Sequence, residues 1–350
     1  MIPFEITRGK IPVHSIDAAY MVNDTLGYIK LTKFSRTTFD EFEVAASKLI
    51  NYGMTSLIFD LRDNTGGYFD QALLLTNEFL PRGAGIVYME GMHRSRQEYN
   101  ADGRGKLRDI KLTVLIDEGS ASSSEIFAGA IQDNDRGVIV GRRSFGKGLV
   151  QEPINFPDGS GLRLTVARFY TPSGRCIQKP YAKNYDYDIF ERYAHGEMTS
   201  ADSVKVDSTA LYYTVKGRKV YGGGGIIPDI FTPIDTTKAT KFFIDCNKKA
   251  VMMRFASSMF DKYNASLSKI DNFKRLDKWM DEIGIEQQFL NYADNIENLR
   301  PSAQEWEETR WYMMPQVKAL VGRYSKLQDE AFYRFFNPMD KEFQTALTAQ

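Results

Sequence analysis

The sequence predicts an α/β protein whose layered core is followed by a helical module. Three observations predict it. Strand-like apolar runs alternate with helical periodicity over residues 27–141, the spacing of stacked βα units on a largely parallel sheet. Residues 148–170 then change to apolar–polar alternation about a turn, the pattern of an antiparallel hairpin. After residue 236 strand signals vanish and helical stretches run to the end.

The elements follow in order. GYIKLT (27–32) reads as a strand. Thr38 and Glu41 fit a capping box for a helix through Phe42, Ala46, Leu49 and Ile50, ended by Gly53. SLIFDLR (56–62) is an apolar run and therefore a buried strand. The turn Asn64-Thr65-Gly66-Gly67 opens a helix over 69–80, stopped by Pro81. GIVYME (85–90) and KLTVLID (111–117) are strands, a helix spans 123–135, and VIVG (138–141) is again a strand. In the hairpin, Leu162, Leu164 and Val166 alternate with polar residues beyond the turn Pro157–Gly161. Residues 181–215 are polar and tyrosine-rich, a surface excursion, and Gly222–Gly225 make a flexible turn before IIPDIFTP. Helical stretches are expected over 238–264, 272–298, 302–324 and 325–346, punctuated by Pro301 and Pro338, with a domain boundary near 236. No internal repeat or low-complexity tract interrupts the chain.

Composition narrows the function. The 350 residues are long enough for one to three domains, and 43% apolar residues exclude a disordered chain. Forty-five Lys+Arg balance 45 Asp+Glu, which argues against a nucleic-acid binder. No window approaches 18 uninterrupted apolar residues, the signal of a transmembrane helix. The start, MIPFEITRGKIPV, lacks the long apolar region and small-residue cleavage site of a signal peptide; it begins like a strand, as expected of a piece of a longer chain. Cys176 and Cys246 form no metal-type pair, and whether they are bonded to each other is open. The histidines, His14, His93 and His195, fall in separate segments, so a histidine-based metal site or triad finds little support, although carboxylates alone could still hold a hard cation.

Three segments could carry chemistry. DEGSASSSEIFAGAIQDN (117–134) sets serines between a strand and a helix. Ser122 and Glu125 fit a capping box, so Ser122 reads first as a cap contributing about 0.5–2 kcal/mol. A strand-to-helix turn also suits a nucleophile, because the N–H groups of the first turn point outward and favour negative charge. A serine needs a base, and the candidate is Lys147 in RRSFGKGLVQ. Lysine acts as a base only when neutral, which burial favours. An extended continuation would put Lys147, Leu149 and Gln151 on one face, with the Gln151 amide orienting the amine. The bland alternative is a lysine in a surface glycine turn. Gly141–Lys147 also fits GxxxxGK, but Gly148 stands where Ser or Thr is needed and no helix follows, so no nucleotide is expected. Ser144–Lys147 fits SxxK, but its KTG and SDN companions are absent. In IFDLRDNTGG (58–67), Gly66 and Gly67 could present an N–H to an oxyanion, or simply make a tight turn.

Together, DLRDNTGG, GSASSSEIFAGAIQDN and FGKGLVQ resemble the C-terminal processing peptidases, or tail-specific proteases. YTPSGRCIQ (170–178) and GGIIPDI (224–230) look like further signatures of that family, and the likeness covers about residues 25–235. Ser122 to Lys147 is 25 positions and Lys147 to Gln151 four, as in the family. The resemblance implies a βα sandwich core of the crotonase/ClpP-like kind with helical additions. It implies Ser122 as nucleophile, Lys147 as general base, Gln151 as the residue positioning the lysine, and an oxyanion hole from the N–H of Ser123 and of Gly66 rather than Gly67. Asp133 matches an acidic position of structural support. Ser123 stands where alanine is usual, a spare hydroxyl beside the nucleophile.

The implied function is a serine endopeptidase that cleaves polypeptides near their C-termini through an acyl-enzyme, with no metal, nucleotide or other cofactor. The partners implied are extended C-terminal tails bound as an added strand, no nucleic acid, and a second copy of the chain docked through the terminal helices. The stretch His93–Arg108 reads as a solvated loop or as a flank of the substrate groove. FEITRGKIPV looks like the last strand of a PDZ domain, which makes 1–24 a remnant and connecting segment, 25–235 the peptidase core and 236–350 the helical module. A periplasmic or envelope location comes from the resemblance alone. The alternative is a non-catalytic ligand- or peptide-binding module on the same core.

Overall fold

The computed structural model describes residues 7–9, 13–181, 185–234 and 239–349. The strands are Ile16–Met21 (β1), Leu26–Leu31 (β2), Ser56–Asp60 (β3), Gly85–Gly91 (β4), Arg94–Asn100 (β5), Lys111–Ile116 (β6), Val138–Gly141 (β7), Leu149–Asn155 (β8), Gly161–Tyr170 (β9), Leu211–Tyr213 (β10), Lys219–Tyr221 (β11) and Ile230–Phe231 (β12). The helices are Thr38–Asn51 (α1), Phe69–Asn77 (α2), Ser123–Asp133 (α3), Asp188–Ala194 (α4), Lys241–Lys248 (α5), Val251–Leu267 (α6), Phe273–Glu282 (α7), Ile285–Asn295 (α8), Ala303–Gly322 (α9), Asp329–Phe336 (α10) and Lys341–Thr348 (α11).

The class is mixed α/β, as expected. The main sheet runs β1-β2-β3-β6-β7-β12, parallel except for the antiparallel β1–β2 pair. Both faces are covered, which is why β3 and β6 read as continuous apolar runs rather than alternating ones. One face packs under α1–α3, where Phe42, Phe59, Phe79 and Phe127 meet edge-on or tilted. On the other, Tyr20, Tyr28, Ile58, Leu115 and Val140 pack against Phe343 and Ala346 of α11. A second, antiparallel sheet runs β5-β4-β9-β8 and contains the expected hairpin. From α5 to α10 the helices share an apolar cluster of their own.

The structure corrects several details. The first helix is capped at Thr37, not Thr38. The Thr38 hydroxyl donates to Ser15 Oγ at 2.7 Å, and Glu41 reaches back to the N–H of Ser15 at 2.8 Å. Arg94–Asn100, read as loop or groove flank, is a strand on β4; mostly exposed, it carries no apolar alternation that would mark it. Ile16–Met21, within the expected connecting segment, is an edge strand of the main sheet. Three of the four long helical stretches break in two. Left-handed Ala250 (φ 51°) and Gly284 (φ 64°) divide two of them, and a 3₁₀ turn holding Pro338 divides the third. Cys176 and Cys246 are both free thiols. The FEITRGKIPV segment lies largely, and the boundary near 236 entirely, outside the described residues.

Candidate active site

Parallel strands present their C-terminal ends on one edge, and loops leaving adjacent strands there face one another. β3, β6 and β7 are neighbours, and the three segments singled out above leave their ends: 61–67 after β3, 117–122 after β6 and 142–148 after β7. The fold therefore gathers at one edge what the chain spreads over about ninety positions.

Ser122 sits at the strand-to-helix turn with φ 56° and ψ −112°, a conformation a non-glycine residue adopts only under strain of about 1–3 kcal/mol. Its neighbours hold it there. Ala121 N–H donates to the Asn64 carbonyl (2.9 Å), Ser124 Oγ donates to the same carbonyl (2.8 Å), and Ser120 Oγ donates to the Leu61 carbonyl (2.8 Å). Ser122 and Glu125 have the contacts of a capping box, of which the bond to the Ser122 N–H has good geometry. Glu125 accepts from Ser122 N–H at 2.9 Å, while the Glu125 N–H donates to the Ser122 carbonyl at 2.9 Å. The half-buried Ser122 hydroxyl makes no side-chain cap bond.

Glu125 is the organising group that the sequence showed only as a capping partner. It is wholly buried. Oε2 accepts from the N–H of Ser122 (2.9 Å) and of Lys147 (2.8 Å), and Oε1 from Gly146 N–H (2.7 Å) and Ser144 Oγ (2.5 Å). Two donors on one oxygen place the Ser122 and Lys147 nitrogens within about 6 Å of each other. Burial pushes the Glu125 carboxyl up from its ordinary value, against the pull of the four donors. The sequence showed the pairing of Glu125 with Ser122 but not its reach to the Lys147 loop, because its partners there are two backbone amides and the Ser144 hydroxyl.

The Lys147 loop is gripped from the outside by the two further signature segments. Lys179 N–H donates to the Gly146 carbonyl (3.0 Å), Gln178 Oε1 accepts from Gly148 N–H (2.9 Å), and Ser144 exchanges bonds with Ile226. A Cβ at Gly148 would lie 2.8 Å from Ile177, so only glycine admits this approach. Lys147 is half-buried, and among the described residues no carboxylate stands in ion-pair range of its amine. The neighbouring Lys179 is more buried but paired with Asp188 at 3.3 Å.

Other expected residues fall less simply. Gly66 presses against the Ser122 turn: a Cβ there would stand 2.7 Å from Ser122 Cβ and 2.9 Å from Ser123 N. Its own N–H, however, donates to Asn64 Oδ1 at 2.9 Å, while no hydrogen bond among the described residues engages the Gly67 N–H. Ser123 N–H opens α3 and has no intrahelical acceptor; the spare Ser123 hydroxyl is tied to the Gly67 carbonyl (3.1 Å). Gln151 is exposed, and its amide donates to Thr165 Oγ1 at 3.5 Å rather than to Lys147. A bulge between Val150 and Gln151 breaks the alternation that would have aligned the two. Asp133 is structural: it holds Arg175 at 2.7 Å and accepts from Ser173 N–H at 3.0 Å.

These loops have relatives. Residues 25–189 match the model of peptidase family S41. A probable CtpA-like serine protease of Staphylococcus haemolyticus is 36% identical over 174 residues, 49% of this chain and 35% of that protein. A chloroplastic C-terminal processing peptidase of Tetradesmus obliquus is 39% identical over 154 residues, 44% of this chain and 33% of that protein. The match thus spans about a third of the length of these relatives. Among solved structures, a photosystem II D1 C-terminal processing protease aligns at 28% identity with a TM-score of 0.46, over 65% of this chain and 50% of that one. Residues 25–189, which hold all three loops, are thus similar to peptidase family S41.

Proposed function

We propose that the chain is a serine endopeptidase that cuts polypeptides near their C-termini, with Ser122 as nucleophile and Lys147 as general base. The observation that carries this reading is the single Glu125 oxygen shared by the backbone N–H groups of Ser122 and Lys147, which brings the backbone of a strained serine close to that of a lysine with no carboxylate partner among the described residues. Ser122 Oγ attacks the scissile carbonyl carbon while the neutral Lys147 amine takes its proton. The Ser123 and Gly67 N–H groups hold the developing oxyanion. The C–N bond breaks as the lysine returns the proton to the leaving amine. Water, deprotonated by the same lysine, then hydrolyses the acyl ester. No cofactor enters these steps.

The substrate binds as an extended strand on the free edge of β8, which runs directly on from Lys147 and Gly148. Gln151 would have to leave Thr165 to reach the lysine, so its positioning role needs a second rotamer. By kinship the protein works in the periplasm or cell envelope, which cell fractionation tests.

The decisive experiment measures cleavage of a disordered polypeptide by the wild type, Ser122→Ala and Lys147→Ala. Loss of cleavage in both variants, with labelling of Ser122 by a serine-directed phosphonate or boronate in the wild type, is expected. Cleavage that persists in both removes the proposed pair, and a wild type that binds tails without cutting them makes the core a binding module.

A further inference from the structure

We propose that Glu342, at the start of the last helix, is a positioning residue for the Ser122–Lys147 pair, acting through Arg62 and Arg142. The proposal rests on the peptidase reading above. Its basis is a bridge of ion pairs beneath the three site loops. Glu342 is buried in the first turn of α11; Oε2 accepts from Arg62 Nη1 at 2.7 Å, and Oε1 accepts from Arg142 Nη1. Asp340, the N-cap of the same helix, also holds Arg62 Nη1 and orients Glu342 by accepting its N–H at 3.0 Å.

Each arginine stands at the root of a site loop. Arg62 follows the end of β3 and precedes Asn64. Asn64 holds the chain before and after Ser122: its carbonyl accepts from Ala121 N–H and Ser124 Oγ, and its side chain accepts from Gly66 N–H. Arg142 follows the end of β7, five positions before Lys147, and its Nε binds Glu118 at 2.6 Å, on the loop that leads to Ser122. One carboxylate from a distant part of the chain therefore ties the oxyanion loop, the nucleophile loop and the base loop together. The 61–67 and 117–122 loops are also tied directly, by Asp63 N–H to Asp117 at 2.9 Å and Ser120 Oγ to the Leu61 carbonyl at 2.8 Å, and Phe145 N–H ties the base loop to the Ser120 carbonyl at 2.9 Å; Glu342 adds the link from the base loop to Arg62.

Removing Glu342 should disturb position more than folding. Without it, Arg62 keeps Asp60 and Asp340, and Arg142 keeps Glu118, so neither arginine is left buried and uncompensated. The loss is of register between loops, and small displacements in a catalytic geometry cost up to about a hundredfold in rate.

The test uses the full chain carrying Glu342→Gln, with Thr348→Ala at the exposed far end of the same helix as control. Expected are a kcat reduced at least about tenfold with KM within about twofold, and faster amide hydrogen exchange in 117–122 and 142–148 but not in Phe69–Asn77. The double variant Arg142→Gln/Glu342→Gln should cost no more than the larger single effect, since the two act as a unit. Unchanged kcat overturns the proposal, and so does a fall in kcat without the local change in exchange. If exchange rises throughout the molecule, Arg142→Gln, which cuts the bridge from the other side and leaves Glu342 on Arg62, decides by the same two readouts. A wild type without cleavage, or cleavage that survives Ser122→Ala, defeats the peptidase reading instead, and the exchange pattern alone then decides the bridge.

Discussion

Ser122 is where a local rule is broken for a purpose. A capping serine would sit in extended backbone with its hydroxyl on the N–H of the third helical residue; Ser122 has positive φ and leaves that hydroxyl without a cap bond. Glycine suits positive φ without strain. Ser122→Gly and Ser122→Ala should therefore both be inactive, with the glycine variant about 1 kcal/mol the more stable in denaturant titration. An alanine variant as stable as the glycine one would show the turn to be unstrained. Gly66 makes the complementary prediction. A methyl there collides with the Ala121 carbonyl and Ser122 Cβ, both 2.7 Å away, so Gly66→Ala should abolish cleavage and phosphonate labelling together. Normal labelling would mean the turn can yield. The candidate serine and lysine could be proposed from the chain because their spacing is written in it. Glu125 could not, because its importance lies in four donors, three of them backbone amides, that only folding brings to it.

Among the elements, the pair β2–β3 carries the most consequential electrostatics. Asp60, at the end of β3, accepts from Tyr28 hydroxyl at 2.8 Å and pairs with Lys30 and Arg62. Burial alone would raise its carboxyl; the two cations outweigh that and hold it well below the usual carboxylate range. The folded chain thus keeps Asp60 ionised at pH values where the unfolded chain binds a proton. Its contribution is complete above the unfolded value, about pH 4, and is lost as the pH falls below it. Asp60→Asn should be less stable at neutral pH by about 3 kcal/mol and should lose less further stability between pH 5 and pH 2. Parallel acid-unfolding curves for the two proteins would refute this. Strands inside the parallel sheet declared themselves by apolar runs. Edge strand β5 did not, since its side chains are largely in water and its pairing needs no apolar face.

At the level of the whole molecule, the last helix closes the open face of the main sheet. Phe343 lies edge-on to Tyr28 at 5.6 Å between ring centres and is almost fully buried. Phe343→Ala should cost about 3–5 kcal/mol and lower the melting temperature of the core and not only of the helices. A variant with an unchanged melting temperature would show that α11 is not part of the cooperative unit. The helical character of the C-terminal stretch was plain from periodicity, but its breaks at Ala250 and Gly284 depend on single left-handed residues, which periodicity does not register.

Periodicity, turn residues and motif order are written along the chain, so they were enough for the α/β class, the hairpin and the candidate serine and lysine. Contacts that form only when loops and helices meet in space carry no imprint in local periodicity. The shared carboxylate of Glu125, the turned-away Gln151, the occupied Gly66 amide and the arginine bridge to Glu342 therefore became visible only in three dimensions. There, backbone amides and buried charges had to find partners wherever the packing left them.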